Sequence, residues 1–201
     1  MRKLILIVIV ASPLMSLSQN LNNLDFIAPY HDNLAAVQRD GEWGFINANG
    51  ELVVDFRKDL VLSKFEDGSY PVFNDDRALI KQKKNGIAYY GFIDTTGKTR
   101  IEPQYRNATQ FVNGEAIALK VIKETLGSNE PLGKNVVNYK YFEVVIDTNN
   151  EVKDYLNPEG VNVVLNKDFI KDHYKISSKR LSDNLYAVRG KDKKWTVYKV
   201  Q

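Results

Sequence analysis

The sequence predicts an all-β chain, an array of β-hairpin repeats forming a partial propeller-like or rolled sheet. Three observations carry that prediction. The stretch from Gly41 to Val54 holds two short apolar-aromatic runs, Trp43-Gly44-Phe45-Ile46 and Leu52-Val53-Val54, joined by Asn47-Ala48-Asn49-Gly50. A second version, Tyr90-Gly91-Phe92-Ile93-Asp94-Thr95-Thr96-Gly97-Lys98-Thr99-Arg100-Ile101, follows after about 47 residues, a spacing typical of repeat architectures. Between these runs the chain is punctuated by turn signals, Asp40-Gly41, Asn49-Gly50 and Asn85-Gly86 among them.

Residues 1–18 read as an export signal. Arg2 and Lys3 form a positive start, Leu4 to Ala11 an apolar run, and Ser16-Leu17-Ser18 places small residues before a cut at Gln19. Ser12 and Pro13 break that run short of the roughly 20 apolar residues a bilayer span needs. The expectation is a mature domain, 19–201, with no membrane span and a periplasmic or extracellular location. The chain has no Cys, so a lipid-anchored cleavage site and disulfides are both excluded. About 183 remaining residues suffice for one buried core. Lys and Arg number 28 against 25 Asp and Glu, so no basic surplus points to nucleic acid.

The repeats read as copies at about 33–74, 75–115, 116–165 and 183–201. In the first, Asn33 to Val37 is a short apolar strand, Asp40-Gly41 a turn, and Trp43 opens the second strand. Asn47 is suited to bond the backbone ahead of it, and Gly50 to take the left-handed conformation that closes a type I turn with a bulge. Asp94 and Gly97 repeat that chemistry. Phe65-Glu66-Asp67-Gly68 is matched to Phe111-Val112-Asn113-Gly114, and Arg77 to Lys81 to Leu34 to Val37. The third copy starts at Ala116 and is interrupted by an insertion, Lys123 to Val137. It resumes at Tyr141, with Glu143-Val144 where Trp-Gly stood and Asn150 in the place of the turn glycine. In the fourth, Asn184 to Gly190 and Lys194 to Val200 return, with Trp195 in the Trp slot and Thr196 in the Gly slot. The stretch Asn166 to Ser178 reads equally as a short helix or an irregular connection.

Gly91-Phe92-Ile93-Asp94, Gly97-Lys98, Ile101-Glu102-Pro103-Gln104-Tyr105 and Phe111-Val112-Asn113-Gly114-Glu115-Ala116 together resemble the WG-repeat family, also called KWG repeats. Trp43-Gly44 keeps the signature pair, and Tyr90 replaces the Trp in the second copy. The resemblance implies a β-hairpin array used for binding or scaffolding, and it carries no catalytic residues. The repeat signature is Trp43, Gly44, Gly50, Tyr90, Gly91, Gly97 and Trp195, in structural roles. Trp43, Phe45, Tyr90, Phe92, Phe142 and Trp195 are expected in the core, since equivalent positions in a repeat serve packing, with a flat aromatic platform as the rival reading.

Chemistry has little to build on. His31 and His173 stand far apart in sequence, with no metal-ligand spacing, and Ser177 and Ser178 near His173 lack a nucleophile elbow. The acidic pairs Glu66-Asp67 and Asp75-Asp76 flank turns. The reading is therefore an exported, non-catalytic module without cofactor or metal, recognising a protein, peptide or glycan. Its surface is expected in the loops that differ between copies, chiefly Lys123 to Val137 and Asn166 to Ser178. The alternative is a cell-wall or polysaccharide hydrolase or lyase using a carboxylate pair.

Overall fold

The computed structural model describes residues 21–129, 133–163, 175–190 and 192–200. The proposed signal, residues 1–18, lies outside them, as does most of the stretch from Asn166 to Ser178. The described chain is all-β, and its strands form several small antiparallel sheets with no closed barrel among the described residues.

The first sheet takes β1 (Phe26–His31), β2 (Leu34–Arg39), β3 (Glu42–Ile46) and β4 (Leu52–Arg57) in that order. A small hairpin follows, β5 (Ser63–Phe65) and β6 (Gly68–Tyr70). The second sheet holds β7 (Phe73–Asn74), β8 (Arg77–Lys84), β9 (Ile87–Ile93) and β10 (Thr99–Tyr105). The third holds β11 (Glu115–Asn129), β12 (Lys134–Asp147) and β13 (Val152–Tyr155), with β14 (Val161–Asn162) also on β12. The fourth holds β15 (Lys179–Ser182), β16 (Leu185–Arg189) and β17 (Trp195–Lys199).

Register shows that four hairpins are equivalent. Gly44 pairs with Val37, Gly91 with Ile80, Val144 with Ala118 and Thr196 with Val188. Three core clusters then set the order in space. One joins Ala36, Trp43, Phe45 and Val54 of the first sheet to Ala78, Ile80 and Ile93 of the second. The next joins Leu79, Tyr90, Phe92 and Ile101 to Ala116, Ala118, Val144 and Ile146 of the third. The last joins Ile117 and Val145 to Tyr186 and Val200. Successive strand residues point to opposite faces, so each inner sheet is buried on both sides. This explains the continuous apolar runs Ala78-Leu79-Ile80 and Ala116-Ile117-Ala118-Leu119, where a half-exposed strand would alternate. Each repeat shares its core with its neighbours, as in a solenoid.

The predicted turns form as their residues dictate. Asn47 Oδ1 accepts the N–H groups of Asn49 and Glu51, both at 3.0 Å, and Gly50 has φ +76°. Asp94 Oδ1 accepts Thr96 N–H at 2.9 Å and Lys98 N–H at 3.1 Å, with Gly97 at φ +81°. Asp147 does the same for Asn149 and Glu151, and Asn150 stands in the left-handed position at φ +71°. Asn150 also ties the third repeat to the second, because its Oδ1 accepts the Tyr105 hydroxyl at 2.7 Å.

The glycine of the signature is required by space. A Cβ on Gly91 would lie 2.3 Å from the Ile101 carbonyl oxygen and 2.7 Å from Pro103 N, and one on Gly44 would lie 2.8 Å from the Val54 oxygen. In both sheets the third strand bulges against this position, between Val54 and Arg57 and between Ile101 and Tyr105. In the third sheet Val144 pairs directly with Tyr155 and the bulge lies further on, so a side chain fits where glycine stood.

Two expectations are corrected. The described parts of the insertion, 123–129 and 133–137, are not a loop between strands: β11 and β12 stay paired from Glu115↔Asp147 to Thr125↔Val137 and, after one bulge, to Asn129↔Lys134, so they lengthen the hairpin. The partner of Phe111 in the first repeat is Phe73, not Phe65. Phe73 and Phe111 are fully buried and meet Phe45 and Phe92 edge-on at 4.6 and 4.7 Å, whereas Phe65 is partly exposed in the extra β5–β6 hairpin. Asp75 and Asp76, at φ +51° and +58°, make the turn that Asn113 and Gly114 make later.

Candidate functional site

The position that begins with Trp43 faces the next sheet in each of the first two repeats. Trp43 and Phe45 point at the second sheet, and Tyr90 and Phe92 at the third. In the third repeat the slot holds Glu143, buried and turned toward the segment that leads into the fourth sheet. Its Oε1 accepts Ser177 N–H and the Ser177 hydroxyl, and its Oε2 accepts Ser178 N–H, each at 2.8 Å. A Trp cannot satisfy those two backbone donors, and a carboxylate does. Sequence reading missed this role. The signal available was a lone acid at a slot otherwise aromatic.

In the fourth repeat the slot holds Trp195, and here the core expectation fails. Trp195 is 48% exposed and Val197 61%. The chemistry of the position is unchanged; among the described residues no further sheet packs against it. Lys179 Nζ lies 5.2 Å and the Arg189 guanidinium 5.7 Å from the Trp195 ring centre, so cations cover the indole that a neighbouring sheet would cover. The other core expectations hold: Trp43, Phe45, Tyr90, Phe92 and Phe142 are all buried.

The fourth sheet is held from behind. Tyr186, fully buried, donates its hydroxyl to Glu115 Oε2 at 2.7 Å, and burial together with that carboxylate pushes the phenol pKa up. Val200 is buried in the third cluster, and its N–H bonds the Asn184 carbonyl at 2.8 Å. Between the third and fourth sheets runs a cleft of about 660 Å³, with Tyr141, Leu156 and Pro158 on one wall and Ser177, Thr196 and Tyr198 on the other. Thus β17 borders the cleft on one face and presents Trp195 and Val197 on the other.

The acidic pairs singled out from sequence lie away from this cleft, and one member of each is engaged. Asp67 accepts the Tyr70 hydroxyl at 3.2 Å, and Asp75 accepts Gly114 N–H at 2.7 Å. Burial raises the Asp94 pKa, but the Thr96 hydroxyl, the Arg100 guanidinium and the Thr96 and Lys98 amides outweigh it and hold it at about 2. Asp59 and Asp147 are lowered in the same manner, burial opposing and hydrogen bonds prevailing. His31 packs 5.2 Å from Phe65, and His173 lies outside the described residues. Among the described residues no cluster of three His, Cys, Asp or Glu side chains has the arrangement of a metal site.

A family model described as "WG containing repeat" matches residues 23–43, 43–85 and 90–120, two of the matches opening at Trp43 and Tyr90. Residues 23–85 and 90–120 are thus WG repeats. The structure extends the WG hairpin beyond the matched residues, since β11–β12 and β16–β17 keep the register of the matched pairs. No curated protein and no solved structure matches the chain.

Proposed function

We propose that this WG-repeat protein is an exported, non-catalytic interaction module that binds a polypeptide partner in the cell envelope through its fourth sheet. One observation carries the reading: the fourth sheet has a buried strand like those of an inner sheet, β16, beside a strand exposed at every residue, β17. Its strand Leu185-Tyr186-Ala187-Val188 has the continuous apolar character of β8 and β11, yet Trp195 and Val197 stand open to solvent. Terminal repeats of an array need a polar outer face or a partner to cover them. At the other end the first sheet has such a cap. The Arg39 guanidinium lies 4.2 Å from the Phe56 ring centre on that side, and Ala35 and Val37 are fully buried.

Supporting the non-catalytic reading over a carboxylate-pair hydrolase, the carboxylates buried among the described residues, Asp94 and Glu143, are bound within the chain as described above. The test is affinity capture from the host envelope fraction with the protein from Gln19 onward, beside Trp195→Ala and Val197→Glu. A partner held by the parent and lost with both variants is the expected result. A partner retained by both, or no partner together with turnover on a panel of cell-wall glycans, refutes the reading.

A further inference from the structure

We infer that the free edge of β17 receives an extended, acidic-apolar segment of a partner polypeptide as an added antiparallel strand; the inference rests on the interaction reading above and gives it a geometry. The template is within the molecule. In the first three sheets the second strand of the WG hairpin is flanked on both sides: β3 by β2 and β4, β9 by β8 and β10, β12 by β11 and β13. In the fourth, β17 pairs with β16 alone among the described residues. Among the described residues nothing pairs on the edge where each earlier repeat seats its third strand.

This edge carries neither the proline nor the bulge that blocks strand pairing, and the lysines on and beside it disfavour a cationic strand rather than an acidic one. Its ladder with β16 is unbroken over five residue pairs, Leu185↔Lys199 to Arg189↔Trp195, without bulge or proline. The opposite end of the array differs. There the edge strand β1 contains Pro29, which has no N–H to donate, and its register slips between Ile27 and Tyr30. Pro29 and the slipped register oppose strand addition at β1, and among the described residues β17 has neither.

The chemistry of the occupant is set by its surroundings. In the first two repeats the third strand places an aliphatic residue opposite the second apolar position of the hairpin, Val54 on Phe45 and Ile101 on Phe92, whereas in the third Asp154 lies opposite Val145. The corresponding position in β17 is Val197, which calls for an aliphatic partner. Around it stand Lys179, Arg189, Lys193, Lys194 and Lys199, with Asp192 the nearest acid in sequence. The residue opposite Trp43 is Arg57. Opposite Trp195, already flanked by two cations, an arginine would be repelled and a carboxylate attracted. The occupant is therefore an extended segment with an aliphatic centre and acidic residues toward its C-terminal half. Main-chain hydrogen bonds would supply the affinity and Val197, Trp195 and the lysines the selection.

The probe is a synthetic peptide copying residues 50–56, Gly-Glu-Leu-Val-Val-Asp-Phe, whose Val54 would face Val197. A control peptide carries Lys at both acidic positions. Trp195 is a built-in reporter, because Trp43, the other indole, is buried in the first cluster. The expected result is a saturable change in Trp195 emission and slowed amide exchange within 195–199. Lys193→Glu with Lys194→Glu, both on exposed positions, should weaken binding at least about tenfold, and added salt should weaken it as well. The proposal falls if neither peptide gives a saturable change or if both bind alike. It falls too if emission changes while the β17 amides stay as exchangeable as before. Self-association abolished by the same double substitution and insensitive to the peptide would make a second copy the occupant and equally overturn it. A partner captured in the envelope experiment that leaves the β17 amides unprotected would refute strand addition and leave the interaction reading standing.

Discussion

Replacing Gly91 with Ala tests the physical basis of the WG signature. Its φ lies outside the left-handed region, so space alone demands the glycine. The new Cβ would sit 2.3 Å from the Ile101 oxygen, 2.7 Å from Pro103 N and 2.8 Å from Glu102 C, all backbone atoms of β10. Ordinary contact begins near 3.4 Å, so β10 must retreat by about 1 Å. Doing so pulls Ile101 and Tyr105, each 2% exposed, out of the second cluster. Overpacking of this kind costs about 1–3 kcal/mol, and more where rigid backbone must yield. An unfolded-state gain of about 0.4–1 kcal/mol from removing a glycine offsets part of it. We expect a net loss of about 2–3 kcal/mol for Gly91→Ala. Gly44→Ala, whose Cβ would meet the Val54 oxygen at 2.8 Å, should cost less, about 1 kcal/mol. Urea unfolding followed by far-ultraviolet circular dichroism measures both. A Gly91→Ala protein as stable as the parent, or less affected than Gly44→Ala, refutes the argument that β10 sets the glycine.

Three further outcomes rest on named contacts. The folded-state pKa of Asp94, about 2, lies below the ordinary 3.8, so its stabilisation is present above about pH 4 and is lost as pH falls toward 2. Asp94→Asn should keep the turn, as Asn47 does, while flattening acid-induced loss of the urea midpoint over that window. Glu143→Ala removes the acceptor of three hydrogen bonds and leaves two backbone donors unpaired, at a cost of about 3 kcal/mol. Faster amide exchange should appear first at Ser177 and Ser178 and in β15. Asn150→Gly relieves a left-handed Asn but strips the Tyr105 hydroxyl of its acceptor, so it should destabilise by about 1 kcal/mol. It should also alter the titration of Tyr105, whose pKa burial and the nearby Tyr155 raise to about 12.

The parts of the fold legible in the sequence are those decided within a few residues. The Asn47, Asp94 and Asp147 turns each need an acceptor at the first position and a left-handed residue at the fourth, and both requirements are written in adjacent letters. The hairpins are legible for the same reason. Features that depend on a neighbouring repeat are not. Phe65 and Phe73 are equally apolar, and only the approach of Phe45 separates them. The described parts of 123–137 lack strong alternation because, as an extended two-stranded arm, much of their surface is exposed and has no core to face. Glu143 reads in sequence as a worn Trp, since the amides it binds lie more than thirty residues away.

The exposure of Trp195 says most about the array. Its side chain does what Trp43 does: it points away from its own sheet toward where the next one belongs. A residue's burial in such an array is thus a property of the next repeat, and the slot's chemistry records the kind of surface it meets. Before another apolar sheet it is Trp43 or Tyr90. Before a connecting segment with free amides it is Glu143. In the fourth sheet it is an indole again, the residue used where an apolar surface is met, and none of the described residues supplies that surface. A slot meant to face water would favour a charged or small polar side chain, as the surface elsewhere does. Trp195 and Val197, beside Lys179 and Arg189, are thus the residues on which the proposed binding of an apolar and acidic segment rests.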